Sequence, residues 1–163
     1  MCVLNRCFLL LALVALALAG CSSRESKVGG MLNLQTDLKL TLEAAQTINP
    51  DVQGSPSPVF LRVYELNSKE AFEQADFIEL YERDQSALGD TLVQRRQLPR
   101  LVPGEVRSHK LVLDSSTRYV GVMAEFFQFE DSVYKVVVPV TSRNVFRDTL
   151  QIRVSGNQLS VVN

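Results

Sequence analysis

The feature that most constrains the fold is a series of short apolar segments separated by turn-forming residues. From residue 92 to residue 162 each segment has the length of a β-strand, and a turn recurs roughly every 8–12 residues. A parallel sheet would need a helical crossover at every step, for which this spacing leaves no room. The pattern therefore predicts an all-β fold, an antiparallel two-sheet β-sandwich. The strands predicted in this half of the chain cover residues 92–101, 106–113, 118–127, 133–138, 149–154 and 158–162.

Two more strands are predicted upstream, which brings the total to about eight. In residues 32–42, leucine and threonine at the even positions alternate with polar residues, and this period of two is typical of a half-buried strand. In residues 59–66, Leu61 and Val63 share one face of a strand, while apolar residues also occupy the other face. Apolar groups on both faces indicate a strand that is covered on both sides.

A short helical insertion is predicted after the second strand. Asn67 and Glu70 have the spacing of a capping box, in which each side chain bonds an otherwise unpaired backbone amide at a helix N-terminus. Asp76 and Glu79 repeat this spacing. Two short helices are therefore expected, and the insertion should end near Gly89.

Pro103 and Gly104 mark a tight turn. Proline fixes the backbone angle that position i+1 of a type II turn requires, and glycine accepts the positive φ at position i+2. The turn is predicted to join the strands over residues 92–101 and 106–113 as a hairpin.

The N-terminal segment has the character of an export signal. Arg6 precedes a run over residues 8–19 without charged or amide side chains, and this run is too short to span a membrane, since a transmembrane helix needs ~20 apolar residues. It ends in Leu18-Ala19-Gly20-Cys21, which resembles a bacterial lipobox. Cys21 is therefore the predicted lipidation site, carrying a covalent diacylglycerol and an N-acyl chain. The predicted division of the chain is a removed signal peptide (1–20), a lipidated flexible tether (21–30) and a periplasmic β-sandwich domain (31–163).

Residues that usually carry chemistry are scarce. The three cysteines are Cys2, Cys7 and Cys21. All of them lie in the signal or at its cleavage point, so the mature domain has no pair to form a disulfide. His109 is the single histidine and stands in an alternating strand, where a packed or half-exposed side chain explains it without a catalytic role. We predict no enzymatic activity, no metal and no cofactor apart from the lipid. The remaining candidates are interpreted as solvated rims: Glu125, Glu130 and Asp131.

Charge does not favour nucleic acid as a partner. The chain has 17 Lys and Arg against 18 Asp and Glu, which is close to neutral. Arg95, Arg96 and Arg100 form a small basic cluster on the predicted strand over residues 92–101. We interpret this cluster as the solvated face of an edge strand.

A long loop is predicted between the first two strands. Residues 43–57 lose the alternation and collect turn residues such as Pro50 and Pro56, and a loop of ~15 residues is longer than a compact domain usually needs. Prolines limit the conformational freedom that a binding loop must give up. Ile48 and Val52 are apolar, and the sequence shows no core for them to enter. Both a recognition loop and ordinary turn residues remain open explanations.

A set of short motifs runs through the mature chain, none of them specific alone. They are Asn49-Pro50-Asp51 with Gly54, Ser57-Pro58-Val59, Arg62-Val63-Tyr64-Glu65-Leu66, Phe72, Ala75-Asp76-Phe77, Leu80-Tyr81, Pro103-Gly104-Glu105 and Val120-Gly121-Val122. Together they make the chain resemble the TssJ (SciN) lipoprotein family of type VI secretion systems over essentially its whole mature length. One departure is Tyr134, where the family often has tryptophan in its sixth strand, and this change keeps an aromatic core anchor.

The resemblance implies a transthyretin-like β-sandwich with a helical insertion after strand 2. It also implies a non-enzymatic lipoprotein of the outer membrane whose domain faces the periplasm. Such a protein binds the periplasmic C-terminal domain of TssM, the inner-membrane subunit, and so anchors the membrane complex. In the family the loop between the first two strands makes the contact. Carried over to this sequence, the partner-binding residues are Ile48, Asn49, Pro50, Asp51, Val52 and Gln53.

Two other functions remain open, a periplasmic ligand-binding lipoprotein and a pilotin-like lipoprotein that grips a partner helix. A ligand-binding protein would need a concave pocket between the sheets, which the dense leucine alternation over residues 34–42 disfavours. We therefore predict no small-molecule substrate. A hydrolase is disfavoured most, because no nucleophile and base pair can be assigned.

Overall fold

The computed structural model describes residues 36–141 and 148–162. The predicted signal peptide, Cys21 and the tether lie outside these residues. Within them the chain forms eight β-strands and two α-helices. The strands are β1 (Thr36–Ala44), β2 (Leu61–Leu66), β3 (Leu92–Gln97), β4 (Val106–Leu113), β5 (Tyr119–Ala124), β6 (Lys135–Pro139), β7 (Asp148–Ser155) and β8 (Gln158–Val162). The helices are α1 (Glu70–Gln74) and α2 (Phe77–Leu88), and a 3₁₀ turn covers Gly89–Thr91.

The described strands form two sheets of four strands each. One sheet has the order β4-β1-β7-β8 and the other the order β3-β2-β5-β6. Neighbouring strands in this part of the chain pair antiparallel except β1 and β7, which run parallel with Leu40 opposite Leu150. These two strands meet only after the chain has returned from the second sheet, and a long crossover of this kind is what a parallel pair requires. The predicted two-sheet sandwich with its insertion after the second strand is confirmed, whereas purely antiparallel pairing is wrong for this one pair.

The main core lies between the two sheets and follows the predicted period of two. Leu38, Leu40 and Leu42 point inward from β1, and all three are buried. Leu61 and Val63 on β2 face them from the other sheet within the same cluster of buried residues. Burying a leucine or valine side chain contributes ~1.5–3 kcal/mol, so this layer is the main stabilising feature of the sandwich.

A second core lies under the helical insertion, on the other face of β2. Tyr64 and Leu66 are buried there together with Phe72 of α1. Gly121 on β5 makes this contact possible, since a Cβ at this position would stand 2.9 Å from the Phe72 ring. The apolar residues on both faces of β2 are thus explained, as the sequence predicted.

One of the two predicted capping boxes exists. Asp76 Oδ1 accepts a hydrogen bond from the Glu79 amide at 2.7 Å, and the Asp76 amide donates to Glu79 Oε2 at 3.1 Å. Asn67 does not cap α1, because its side-chain amide donates to the Asp90 carbonyl at 2.9 Å instead. The last turn of α1 is held by Lys135, whose Nζ donates to the carbonyls of residues 72, 73 and 75. Burial lowers the pKa of this lysine.

The Pro103-Gly104 turn forms, but not within a hairpin. The Glu105 amide donates to the Val102 carbonyl at 3.1 Å, and Gly104 has the positive φ of 78° that the turn requires. The strands on either side, β3 and β4, belong to different sheets. The turn therefore carries the chain from one sheet to the other, and the predicted hairpin is wrong.

β3 is an edge strand, as predicted, but two of its arginines bind buried carboxylates. Arg95 Nη1 lies 2.9 Å from Asp84 of α2, and Arg96 Nη2 lies 2.8 Å from Glu65 of β2. Buried carboxylates need such partners, because an unpaired buried charge is strongly destabilising. These two side chains hold the insertion and the sheet together instead of forming a free basic surface.

Glu125 is likewise paired and is not a solvated rim residue. Its Oε1 lies 2.6 Å from Arg62 Nε, and both side chains are largely buried. Tyr64 extends the same network by donating a hydrogen bond from its hydroxyl to Asp84 at 3.1 Å. Burial raises the pKa of this tyrosine.

A candidate docking surface at one end of the sandwich

Four connections meet at one end of the sandwich, which we call the loop end: residues 45–60, 98–105, 125–134 and 156–157. Backbone hydrogen bonds join them, since the Asn49 amide donates to the Gly156 carbonyl at 2.9 Å and the Gly104 amide donates to the Ala45 carbonyl at 3.1 Å. β1 begins at Thr36 and runs toward this end. The loop end therefore lies at the opposite end of β1 from Thr36.

Residues 45–60, the β1–β2 loop, contain all six residues predicted to bind a partner. Their side chains do not share one environment. Ile48 and Asn49 are buried, Pro50 and Asp51 are half-buried, and Val52 and Gln53 are exposed. We call Ile48 and Asn49 the base of the loop, and residues 51–56 its tip.

Ile48 is part of the core between the sheets. It is 0% exposed and belongs to the same cluster as the leucines of β1. The prediction that Ile48 is a free apolar anchor is therefore wrong. Its burial could not be predicted from the sequence, because the cluster to which Ile48 belongs draws residues from distant parts of the chain.

Asn49 fastens the base of the loop to its neighbours. Its Nδ2 donates to the Pro58 carbonyl at 2.9 Å, and its Oδ1 accepts from the Phe127 amide at 2.8 Å. Leu61 of β2 pairs with Ala124 of β5, so Pro58 and Phe127 are extensions of these two paired strands. The side-chain amide of Asn49 thus links these two segments where they separate. The Asn49 backbone adopts a φ of 46°, a conformation that asparagine tolerates better than most residues.

Asp51 organises the tip of the loop. Its Oδ1 accepts hydrogen bonds from the amides of Gln53 and Ser55, both at 2.9 Å. The Gly54 amide donates to the Asp51 carbonyl at 2.9 Å, and Gly54 has a positive φ of 80°. This Asx-type arrangement holds the tip in one conformation. It leaves Val52 80% exposed.

The β5–β6 connection, residues 125–134, lies beside the loop and was not predicted to take part. Gln128 Nε2 donates to the Asp51 carbonyl at 3.0 Å, and Phe127 is 70% exposed. The predicted strand over residues 118–127 ends earlier, at Ala124, which places Phe127 in the connection. Three phenylalanines within four residues, from Phe126 to Phe129, were the available signal.

Groups able to hold a metal were not found within residues 36–141 and 148–162. No helix in the same residues is long and apolar enough to cross a membrane. His109 is half-buried on β4 opposite Leu40, and burial lowers its pKa.

The T6SS-SciN family, described as type VI secretion lipoproteins including VasD, EvfM and TssJ, matches residues 36–157. This chain belongs to the TssJ family. Among curated proteins, no sequence matches it. The matched residues span β1 through the β7–β8 turn and so include the whole loop end.

Solved structures agree with the TssJ assignment. The crystal structure of the T6SS lipoprotein TssJ1 from Pseudomonas aeruginosa is 31% identical, with a TM-score of 0.73 over 79% of this chain and 96% of that one. A chain of a structure described as a type VI membrane complex is 26% identical, with a TM-score of 0.70 over 80% of this chain and 100% of the other. A third structure is described as the T6SS protein TssM C-terminal domain (869-1107) from EAEC. One of its chains is 25% identical, with a TM-score of 0.66 over 78% of this chain and 98% of that one.

Proposed function

We propose that this TssJ-family protein is a non-enzymatic, lipid-anchored component of the type VI membrane complex. Acyl chains on Cys21 hold it in the outer membrane with its domain in the periplasm. The tip of the β1–β2 loop binds the periplasmic C-terminal domain of TssM, so that the complex is anchored to the outer membrane.

The observation that carries this proposal is the fixed presentation of an apolar side chain away from the N-terminal end of β1. Val52 is 80% exposed on a tip that Asp51 holds in one conformation. An ordered tip loses little conformational entropy when it binds, which favours affinity. The tip lies at the opposite end of β1 from Thr36, where the strand begins.

The relatives support TssM as the partner. One chain of similar fold comes from a structure described as a type VI membrane complex, and another from a structure described as a TssM C-terminal domain. The latter shares 25% of its residues with this chain. A protein that bridges TssM and a membrane needs a docking region and an anchor, and the proposal assigns these to the tip of the β1–β2 loop and to Cys21.

Binding can be tested with two valines that receive the same substitution. Val52→Ser at the tip should weaken binding of the purified TssM periplasmic domain roughly tenfold, or ~1.4 kcal/mol, because a valine buried at an interface is replaced by a polar side chain. Val112→Ser serves as the matched control, since Val112 is exposed on β4 opposite Asp37, near the other end of β1. Interferometry with the lipoprotein in nanodiscs provides the affinities. Equal affinities for the two variants would place the contact elsewhere.

The anchor requires a separate measurement. Cys21→Ser removes the acceptor thiol, and stable anchoring needs at least two membrane signals, so the variant should appear in the soluble periplasmic fraction. The wild-type protein should separate with the outer membrane, because Ser22 follows Cys21 in place of the aspartate that retains many bacterial lipoproteins in the inner membrane. Wild-type protein found in the inner-membrane fraction would contradict the outer-membrane assignment.

A further inference from the structure

Phe127 is exposed between two anchored phenylalanines. Phe126 is 3% exposed within the core between the sheets, while Phe129 stacks on Phe77 of α2 with ring centroids 4.1 Å apart. The Phe127 backbone amide donates a hydrogen bond to Asn49 Oδ1. The Phe127 side chain is therefore 70% exposed even though the segment that carries it is held in place on both sides. A single exposed apolar side chain is common on a protein surface, whereas several that lie together mark an interaction site.

Phe127 and the tip of the β1–β2 loop are joined into one unit. Gln128 Nε2 donates to the Asp51 carbonyl at 3.0 Å and lies 3.4 Å from the Pro50 carbonyl. Among the described large apolar side chains, Val52 and Phe127 are the two most exposed. They are thus carried by adjacent connections that cannot move independently without breaking these hydrogen bonds.

The two connections that carry this pair are one-sided in charge. Residues 45–60 and 125–134 contain no lysine or arginine. Of their four carboxylates, Glu125 pairs with Arg62 at 2.6 Å and Asp51 is half-buried at the tip, whereas Glu130 and Asp131 are exposed. The connection that carries Phe127 therefore also carries two exposed acidic side chains.

We propose that Phe127 and Gln128 form a second half of the docking surface, and that this surface fits an apolar hollow rimmed by lysine or arginine on the partner. The inference rests on the proposed function and adds the chemistry of the partner site. Interfaces place their strongest contacts in a desolvated apolar centre, and charges at the rim orient the partner and accelerate its association. Val52 and Phe127 supply the centre, and Glu130 and Asp131 supply the rim.

The apolar half is tested with Phe127→Ala in the full lipoprotein, reconstituted in nanodiscs and titrated with the TssM periplasmic domain. Affinity should fall tenfold or more, because aromatic residues at an interface centre are often hot spots. Ile78→Ala on α2 is the matched control, since Ile78 is also exposed but lies on the helical insertion. Wild-type affinity in Phe127→Ala together with a weakened Val52→Ser would overturn the composite surface and leave the proposed function standing. Absence of binding by the wild-type protein would overturn both.

The acidic rim is tested by the salt dependence of association. The double variant Glu130→Gln, Asp131→Asn should associate roughly threefold more slowly than wild type at low salt, with the difference vanishing at high salt. Glu82→Gln with Asp90→Asn removes the same charge from exposed positions near the helical insertion and should leave the rate unchanged. Equal rates for all three proteins at low salt would overturn the basic rim on the partner.

Discussion

Ile48 and Val52 lie four residues apart in one loop, yet one is 0% exposed and the other 80%. Both are branched aliphatic residues, and the sequence offers no way to tell them apart. The base of the loop belongs to the core, whereas the tip is folded upon itself through Asp51. A single connection therefore contains a segment that supports the fold and a segment that is available to a partner.

The base and the tip of the loop differ in their hydrogen-bond partners. The Asn49 amide donates to the Gly156 carbonyl of the β7–β8 turn, and the Ser57 amide donates to the Ile48 carbonyl at 3.1 Å. The tip is bonded mainly within itself, with Gln128 as a lateral support. Substitutions at the base should therefore change stability, and substitutions at the tip should change binding.

The largest effect is expected from Ile48→Ala. Removing most of a fully buried isoleucine side chain should lower the free energy of unfolding by about 2–5 kcal/mol, measured by urea denaturation. Val52→Ala is the control within the same loop and should stay within about 0.5 kcal/mol of wild type. Similar unfolding midpoints for the two variants would erase the distinction between base and tip.

Asn49 should rank next, and two substitutions separate its two contributions. Asn49→Gly loses both side-chain hydrogen bonds but accepts the positive φ, and it should cost about 1–3 kcal/mol of stability. Asn49→Ala loses the same bonds and must also adopt an unfavourable backbone conformation, which should add about 1 kcal/mol. Thermal denaturation of both variants measures the difference. If alanine is tolerated as well as glycine, the strained backbone does not contribute.

The smallest effect on stability is expected at Asp51. Asp51→Ala removes an acceptor from an exposed turn and should cost less than about 1 kcal/mol. Hydrogen exchange should nevertheless accelerate at the amides of Gln53 and Ser55, which bond this carboxylate. Asp51→Asn keeps an oxygen in the same place and should preserve their protection. Unchanged exchange in the alanine variant would show that the tip is not organised by this side chain.

Features determined by neighbours in sequence could be predicted from the sequence. The alternation over residues 32–42 correctly marked Leu38, Leu40 and Leu42 as core residues. The box formed by Asp76 and Glu79 was predictable because both partners stand within one helical turn. The turn at residues 103 and 104 was also predictable, since proline and glycine set its backbone angles directly.

Features that depend on residues distant in the chain could not be predicted from the sequence. Asn67 has the same spacing to Glu70 as Asp76 has to Glu79, but Asp90 lies close enough to accept its amide hydrogen. The parallel pairing of β1 with β7 joins segments more than a hundred residues apart in sequence. The candidate site shows the same limit. The loop was found by its loss of alternation, but the burial of Ile48 and the contribution of Phe127 depend on other connections.

The central position of β1 affects how the domain would resist mechanical tension. It is a central strand, paired along its length with β4 on one side and β7 on the other. Under the proposed function, tension applied between the N-terminal end of β1 and a partner bound at the loop end would run parallel to the strand. The hydrogen bonds on both sides would then be loaded together in shear, rather than being peeled open in succession. Resistance to forced unfolding is governed by the unfolding rate. Loading in shear slows unfolding, so the pairing of β1 with β4 and β7 would last longer under tension.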